Sequence, residues 1–290
     1  MKPTNLLLAF STFFLFIIIA ACDGQEESIP VPDPVPDPVV EPEVEKSYQL
    51  VWADEFDTAE IDTTKWSFQI GDGTEYGIPG WGNNELEYYT DREENAFLDS
   101  GNLVIVAREE KFNNFSYTSA RMRTKDLADW KFGRVEVKAR LPRGQGIWPA
   151  IWMLPTQEVY GDWPTSGEID IMELVGHEPN TVHGTIHFGP AWPDNKFIGS
   201  PFVLESGEFY DEFHEFSIEW EMDQISFFVD GQSYFNVTKS TTSPHVYPFN
   251  QFFHLILNIA VGGNWPGPPD TSTEFPQRME IDYIRIYQLQ

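Results

Sequence analysis

One stretch restricts the folding of this chain more than any other: Gly167-Glu168-Ile169-Asp170-Ile171-Met172-Glu173. It places three carboxylates on a segment whose other members are large and apolar. A buried carboxylate is costly unless it is paired or put to use. Ile169, Ile171 and Met172 favour an extended strand at this length. Alternation then directs Glu168 and Asp170 to one side. Glu173 would face the opposite side of a regular strand. One extra residue near Ile171-Met172, a β-bulge, turns it back onto the shared side. The two glutamates then behave as if four apart, about 13 Å between Cα atoms at ~3.3 Å per residue. Side chains leaning toward each other can narrow that gap to the roughly 5–5.5 Å between acids that cleave a glycosidic bond with retention. Asp170 between them would orient one glutamate and help separate their pKa values.

A solvent-facing acidic strand is the plain alternative, and the flanks argue against it. In Trp148-Pro149-Ala150-Ile151-Trp152-Met153-Leu154-Pro155, an extended backbone puts Trp148, Ala150 and Trp152 on one face. Trp163 follows just before the acids. A tryptophan usually serves the core, but three beside a carboxylate triplet suggest a platform for pyranose rings. His183 and His187 are four apart on a strand rather than a helix, and no His-Glu-x-x-His motif occurs, so a zinc pair is not expected. His187 is instead expected to donate a hydrogen bond near Asp170 or Glu173.

The run G-E-I-D-I-M-E, preceded by W-P-A-I-W-M-L-P and followed by H-G-T-I-H-F-G, resembles glycoside hydrolase family 16, in its bulge-containing, laminarinase-type branch. The resemblance extends from Tyr48 to the C-terminus. It includes Trp52-Ala53-Asp54-Glu55-Phe56, Gly80-Trp81-Gly82-Asn83-Asn84-Glu85, Ser119-Ala120-Arg121 and Asp282-Tyr283-Ile284-Arg285-Ile286-Tyr287. It implies a β-jelly-roll and a retaining endo-β-1,3-glucanase acting on β-1,3-glucan. Glu168 resembles the family's nucleophile, Glu173 the acid/base and Asp170 their assistant. Trp148, Trp152 and Trp163 would line the subsites nearest the cut. Asn83 would either bind sugar hydroxyls or form the turn that Gly and Asn favour. Arg121 would reach sugar hydroxyls or pair with a cleft acid. Trp265, in Gly262-Gly263-Asn264-Trp265-Pro266, would extend the cleft wall or pack. No cofactor is expected for catalysis. The resemblance suggests a structural Ca²⁺ held by Asp282 with backbone carbonyls of Glu55 and Gly101, a hard-oxygen set that suits calcium. Asp282 is expected to share an apolar strand face with Ile284 and Ile286, where a salt bridge to a nearby Arg or Lys is the alternative.

The ends of the chain read differently. Residues 1–21 have a short basic start and an apolar run, ending Ile19-Ala20-Ala21-Cys22, like a bacterial lipoprotein signal with Cys22 as the lipidated residue. The apolar run is shorter than the ~20 residues usually needed to span a bilayer. Cys22 is the only cysteine, so no disulfide is expected. Residues 22–46 hold Pro30-Val31-Pro32-Asp33-Pro34-Val35-Pro36-Asp37-Pro38 and then Glu41, Glu43 and Glu45. That composition suits an extended acidic tether rather than a fold. The expected location is the bacterial cell envelope, on the outer membrane or cell surface, with the inner membrane as the alternative that Asp23 raises. The only membrane contact expected is the lipid anchor.

Residues 47–290 are expected to form one catalytic domain. Strand-like runs cover 103–107, 133–141, 147–154, 168–174, 181–188, 215–220, 225–229, 252–261 and 279–287. Asp230-Gly231 reads as a hairpin turn, and 124–131 as one short helix. The fold class expected is an all-β jelly-roll sandwich of two curved antiparallel sheets with a concave substrate cleft. A net charge of −28 disfavours nucleic acid and polyanionic glycans as partners. A monomer is expected. The readings that stay open are the same fold acting on agarose, porphyran, carrageenan or mixed-linkage glucan, a surface glycan-binding protein, and transglycosylation.

Overall fold

The computed structural model describes residues 47–290. The expected leader, the lipidation site Cys22 and the tether lie outside the described residues. The strands, in chain order, are β1 (Tyr48–Asp54), β2 (Ser67–Phe68), β3 (Glu87–Tyr89), β4 (Ala96–Asp99), β5 (Asn102–Phe112), β6 (Phe115–Ser119), β7 (Arg121–Arg123), β8 (Gly133–Arg140), β9 (Ile147–Pro155), β10 (Glu168–Glu173), β11 (Thr181–Phe188), β12 (Lys196–Val203), β13 (His214–Trp220), β14 (Gln224–Val229), β15 (Gln232–Thr238), β16 (Phe253–Val261) and β17 (Gln277–Leu289).

Period-two alternation decides how they pack. Along β9, Ile147, Pro149, Ile151 and Met153 are buried, while Trp148, Trp152 and Leu154 are only half-buried. Side chains of successive strand residues point to opposite faces, so one face enters the core and the other is left for solvent or ligand. The strands assemble into a ten-stranded sheet and a seven-stranded sheet of order β12-β11-β10-β9-β16-β7-β2. The ten-stranded sheet runs β15-β14-β13-β8-β17-β5-β6-β3, with β1 on β17 and β4 on β5. Val135, Phe216, Ile218 and Ile284 of the larger sheet and Ile151, Met153 and Ile169 of the smaller belong to one buried cluster. The result is the jelly-roll sandwich. Pairing is antiparallel except between β3 and β6, which run parallel.

The Asp230-Gly231 turn behaves as its sequence predicts. Both residues have positive φ, 50° and 75°, and join β14 to β15 through a two-residue loop, the backbone that twist-matched hairpins require. The helix expected over 124–131 does not form. Thr124 accepts turn hydrogen bonds from Leu127 and Ala128, and Trp130 then pairs with Phe253 of β16. Cross-strand hydrogen bonds capture this segment before a helical turn can propagate.

Asp282 also departs from expectation. The β17 register shifts between Ile281 and Tyr283, so Asp282 bulges out of the apolar row while Ile281, Ile284 and Ile286 stay buried. Its carboxylate is 40% exposed and pairs with Lys138 Nζ at 2.8 Å. This is the salt-bridge alternative to a metal. Asp54 pairs with Ile284, which brings Glu55 alongside, and Leu103 pairs with Ile281, which brings the Gly101 turn.

Candidate active site

The seven-stranded sheet carries a bulge where the sequence requires one. On β11, Asp170 opposes Thr185 and Glu173 opposes His183, so three steps on β10 match two on its neighbour. On β9, Asp170 opposes Trp152 and Met172 opposes Ile151. Ile171 is therefore the extra residue. Ile171 and Met172 both enter the core, at 2% and 0% exposure. That double inward step returns Glu173 to the side of Glu168 and Asp170.

Three cross-strand rows make up the outer face of this sheet. Glu168 lies beside His187, which lies beside Phe197 on the edge strand. Asp170 lies between Thr185 and Trp152, with Ile256 beyond. Glu173 lies between His183 and Ala150, followed by Asn258 and Arg121. Residues from β11 to β7 thus meet on one surface although the chain separates them widely.

Each glutamate has its own tryptophan donor. Trp163, in the loop before β10, donates Nε1 to Glu168 Oε2 at 2.9 Å. Trp148 donates Nε1 to Glu173 Oε1 at 3.1 Å. An indole is a donor only, so it fixes a carboxyl oxygen without neutralising it. His187 Nε2 lies 3.2 Å from Asp170 Oδ2 and 3.5 Å from Glu168 Oε1. His187 thus lies within ion-pair distance of Asp170 and Glu168, and not beside Glu173 as its other expected partner.

The electrostatics separate the acids. Burial and then the neighbouring Asp170 push Glu168 up from 4.5 to about 7, while His187, Trp163 and Arg121 oppose the rise. Burial, Asp170 and Glu168 push Glu173 well above 4.5. Burial works against a charge on His187, but Glu168 and Asp170 outweigh it and raise the imidazole to about 10. His187 is therefore a cation at neutral pH. The donor atoms of Glu168, Asp170 and His187 all lie within 4.8 Å of one another. With the imidazole charged, the three groups form an ion-pair cluster. Two carboxyl groups lifted above the ordinary carboxylate range, one of them beside a cation, can divide attack and proton donation between them.

The remaining expected residues divide. Trp152 reaches the cleft face and donates Nε1 to Asn258 Oδ1 at 2.8 Å. Trp265 is 42% exposed and sets its ring edge-on to Trp148 at 5.6 Å and His183 at 5.1 Å, so it extends the wall on the Glu173 side. Arg121 does not pair with a cleft acid. Its Nε donates to Gln69 Oε1 at 2.7 Å, and its guanidinium stacks between Trp81 (4.4 Å) and Trp152 (4.7 Å). Planar guanidinium groups favour such aromatic faces. Asn83 donates Nδ2 to Glu85 Oε1 at 3.3 Å, and its carbonyl accepts from the Asn264 amide, which ties its loop to the one carrying Trp265.

Sequence reasoning missed Phe197, Trp81, Asn258, Tyr89 and Gln69. Phe197 is 67% exposed and lies 5.8 Å from the His187 ring. The Gly199 and Pro201 that follow it hide the strand signal of β12. Asn258 left a trace as the lone amide in the apolar run of β16.

Residues 80–285 match the profile of glycosyl hydrolases family 16. The chain belongs to that family. Relatives of this family 16 protein include a glucan endo-1,3-beta-glucosidase A1 from Niallia circulans, 41% identical over 83% of this chain and 38% of its own length. A beta-glucanase from Rhodothermus marinus is 44% identical over 95% of this chain and 93% of its own. The family 16 chain therefore spans well under half of the first relative and nearly all of the second. Among solved structures, the laminarinase catalytic domain from Thermotoga maritima MSB8 superposes with a TM-score of 0.79 at 51% identity, covering 83% of this chain and 98% of that one.

Proposed function

We propose that this family 16 protein is a retaining endo-β-1,3-glucanase that cleaves β-glucan through a covalent glycosyl-enzyme. The observation that carries this reading is the β10 bulge. It puts Glu168, Asp170 and Glu173 on one face, with Glu168 raised to about 7 and Glu173 raised well above 4.5. Glu168 Oε attacks the anomeric carbon while Glu173 gives its proton to the departing glycosidic oxygen. Glu173, now ionised, then takes a proton from water, which attacks the same carbon and frees Glu168. His187 and Trp163 keep Glu168 anionic for the first step, and Asp170 sustains the charge on His187. Relatives described as glucan endo-1,3-beta-glucosidase and laminarinase support the linkage.

Sugar release from laminarin, lichenan and agarose, with detection of the anomer first formed, tests this. Cleavage of laminarin with retained configuration is expected. Activity confined to agarose would move the substrate to a galactan, and an inverted product would end the glycosyl-enzyme scheme. A glycan-binding protein without turnover is the reading that measurable hydrolysis removes.

The proposal extends to the parts outside the described residues. Acylation at Cys22 would anchor a monomer to the cell envelope; Cys22→Ser should release it into the soluble fraction. Calcium is proposed as a stabilising ion at the Asp282 bulge, held by its carboxylate and the carbonyls of Glu55 and Gly101 once Lys138 swings away. Chelation should then lower Tm, and an unchanged Tm would leave Lys138 as the partner of Asp282.

A further inference from the structure

Past Glu168 the cleft face continues into a small basic cavity that bond cleavage leaves unused. Trp163, the indole donor to Glu168, is also one of its walls. The opposite side comes from β16 and β7, where His254 opposes Leu154 and Ile256 opposes Arg123. Two strand spacings of ~4.8 Å separate β16 from β10, so His254 lies about 10 Å across the sheet from the acids. The cavity measures about 90 Å³. One water needs roughly 10–15 Å³ by the same measure, so a group of several heavy atoms fits.

Its side-chain lining is rich in donors and poor in acceptors. Arg123 and Lys125 have no carboxylate within ion-pair distance among the described residues, and Arg123 Nε is buried without a hydrogen-bond partner. On the other sheet Lys138, Arg140 and Arg285 each hold a carboxylate. Gln69 accepts from Arg121 at Oε1, which leaves its Nε2 hydrogens to offer. His254 is 2% exposed, and its Nδ1 also meets no partner. Burial, then Lys125, Arg123 and Arg121, hold its imidazole down to about 3, so it is neutral at pH 7. Ser166 is already bonded to Tyr160 and Gly161. Glu158 is the one acid in the lining, and it is exposed. A sugar hydroxyl has a hydrogen to place as well as lone pairs to fill, whereas an oxyanion only accepts. The three cations that keep a further positive charge off His254 favour a negative one in its place.

We propose that this cavity is a subsite for a single oxyanion group, a sulfate ester or a carboxylate, carried by a sugar on the Trp163 side of the cut. Arg123 and Lys125 supply the charge, and Gln69 and His254 supply neutral N–H donors. The chain as a whole carries −28, which repels a densely charged polymer. One isolated substituent beside two cations without carboxylate partners escapes that penalty. The polymer that bears the group rests on the glucanase reading above, whereas the anion site itself does not.

Three polymers test it: plain laminarin, laminarin lightly substituted with sulfate esters, and laminarin lightly oxidised to carboxylates at its primary hydroxyls. Wild type should cleave at least one charged form about 10-fold better in kcat/KM than the plain one, the scale of a charge-assisted hydrogen bond, mostly through KM. A gain with the sulfated form alone assigns the group as a sulfate ester, and a gain with the oxidised form alone as a uronate. Arg123→Gln and Lys125→Gln should each shrink the charged-to-plain ratio, and Arg123→Lys should keep most of it. No gain with either charged form overturns the proposal. A ratio unchanged in both glutamine variants does so too, by placing the anion elsewhere.

Inorganic sulfate gives a readout that needs no turnover. Titrated into wild type at pH 7, with chloride holding the ionic strength constant, it should move the His254 imidazole signals in NMR to a plateau. Lys125→Gln should weaken that binding about 10-fold. Flat His254 signals overturn the site. The wild-type measurements decide even if a variant does not fold. A saturating His254 shift in a protein that leaves all three polymers uncut would overturn the glucanase reading and leave the anion site standing. Cleavage of plain laminarin beside flat His254 signals would do the reverse.

Discussion

The two sheets treat the same acidic side chain in opposite ways. Beside the ten-stranded sheet, Glu55 accepts both guanidinium N–H groups of Arg285 at 2.8 Å and is held below 4.5. Arg140 pairs with Glu280 at 2.7 Å and Lys138 with Asp282 at 2.8 Å on the same sheet. On the seven-stranded sheet, Glu168 and Glu173 receive one indole N–H each and share the influence of His187, and both rise. Water and a dedicated cation hold an acid down, and burial among other acids lifts it. Glu136 makes the point within the outer sheet. It is largely buried and rises despite Arg134 Nε at 2.8 Å.

The contrast sets the sign of pH effects on stability. The lowered value of Glu55 means its contribution is present above 4.5 and lost as pH falls. The raised value of Glu168 means the reverse: its contribution is full below 4.5 and lost as pH rises through about 7. Acidification should therefore remove the contribution of Glu55 while restoring that of Glu168.

Substitutions can break this comparison, starting with the most severe. Glu168→Gln should reduce kcat by at least about 10⁴-fold, the scale for losing a nucleophile, with oligosaccharide affinity retained in calorimetry; unchanged hydrolysis would remove Glu168 from its role. Glu173→Gln should reduce kcat by about 10²- to 10⁴-fold, the range for a general acid. It should hurt poor leaving groups more than activated aryl glycosides. In the pH profile of kcat/KM, the acid limb should lie near 7 rather than 4.5, because protonated Glu168 cannot attack. Replacing the cation by His187→Gln should move that limb to still higher pH, and a shift downward would contradict the ion pair. Phe197→Ala should weaken long oligosaccharides by about 2- to 10-fold, as for one lost aromatic contact of ~0.5–1.5 kcal/mol, and change the product pattern. On the other sheet, Arg285→Ala removes an exposed pair worth about 0–1 kcal/mol. A small Tm change with full activity is expected there.

The acid triplet was legible because its signal is local. Side-chain alternation and one surplus residue are properties of a single strand, and the core positions Ile171 and Met172 show where that surplus goes. Strong apolar runs such as 147–154 and 181–188 reappear as β9 and β11 with little change at their ends. β12 was not legible, because Gly199 and Pro201 weaken its pattern and its partners lie elsewhere in the chain. The helix expected at 124–131 failed for a related reason: its backbone groups are claimed by β16. Asp282 was misplaced because a bulge in β17 cannot be seen without the strands beside it.

The order of residues alone determined an all-β sandwich and the one-sided acid triplet, since both follow from alternation and its single interruption. Tertiary structure decided what those acids and their neighbours are chemically. His187 is cationic because β11 places it against β10. Arg121 serves two indoles and an amide instead of an acid because β7 packs it beside Trp81 and Trp152. Glu85 ends a hydrogen-bond chain that runs from Trp152 through Asn258 and Tyr89 because Asn258 arrives from β16, far along the chain. Charge state and hydrogen-bond direction depend on which groups exclude water and which atoms approach within about 3 Å, and the chain's neighbours in space set both.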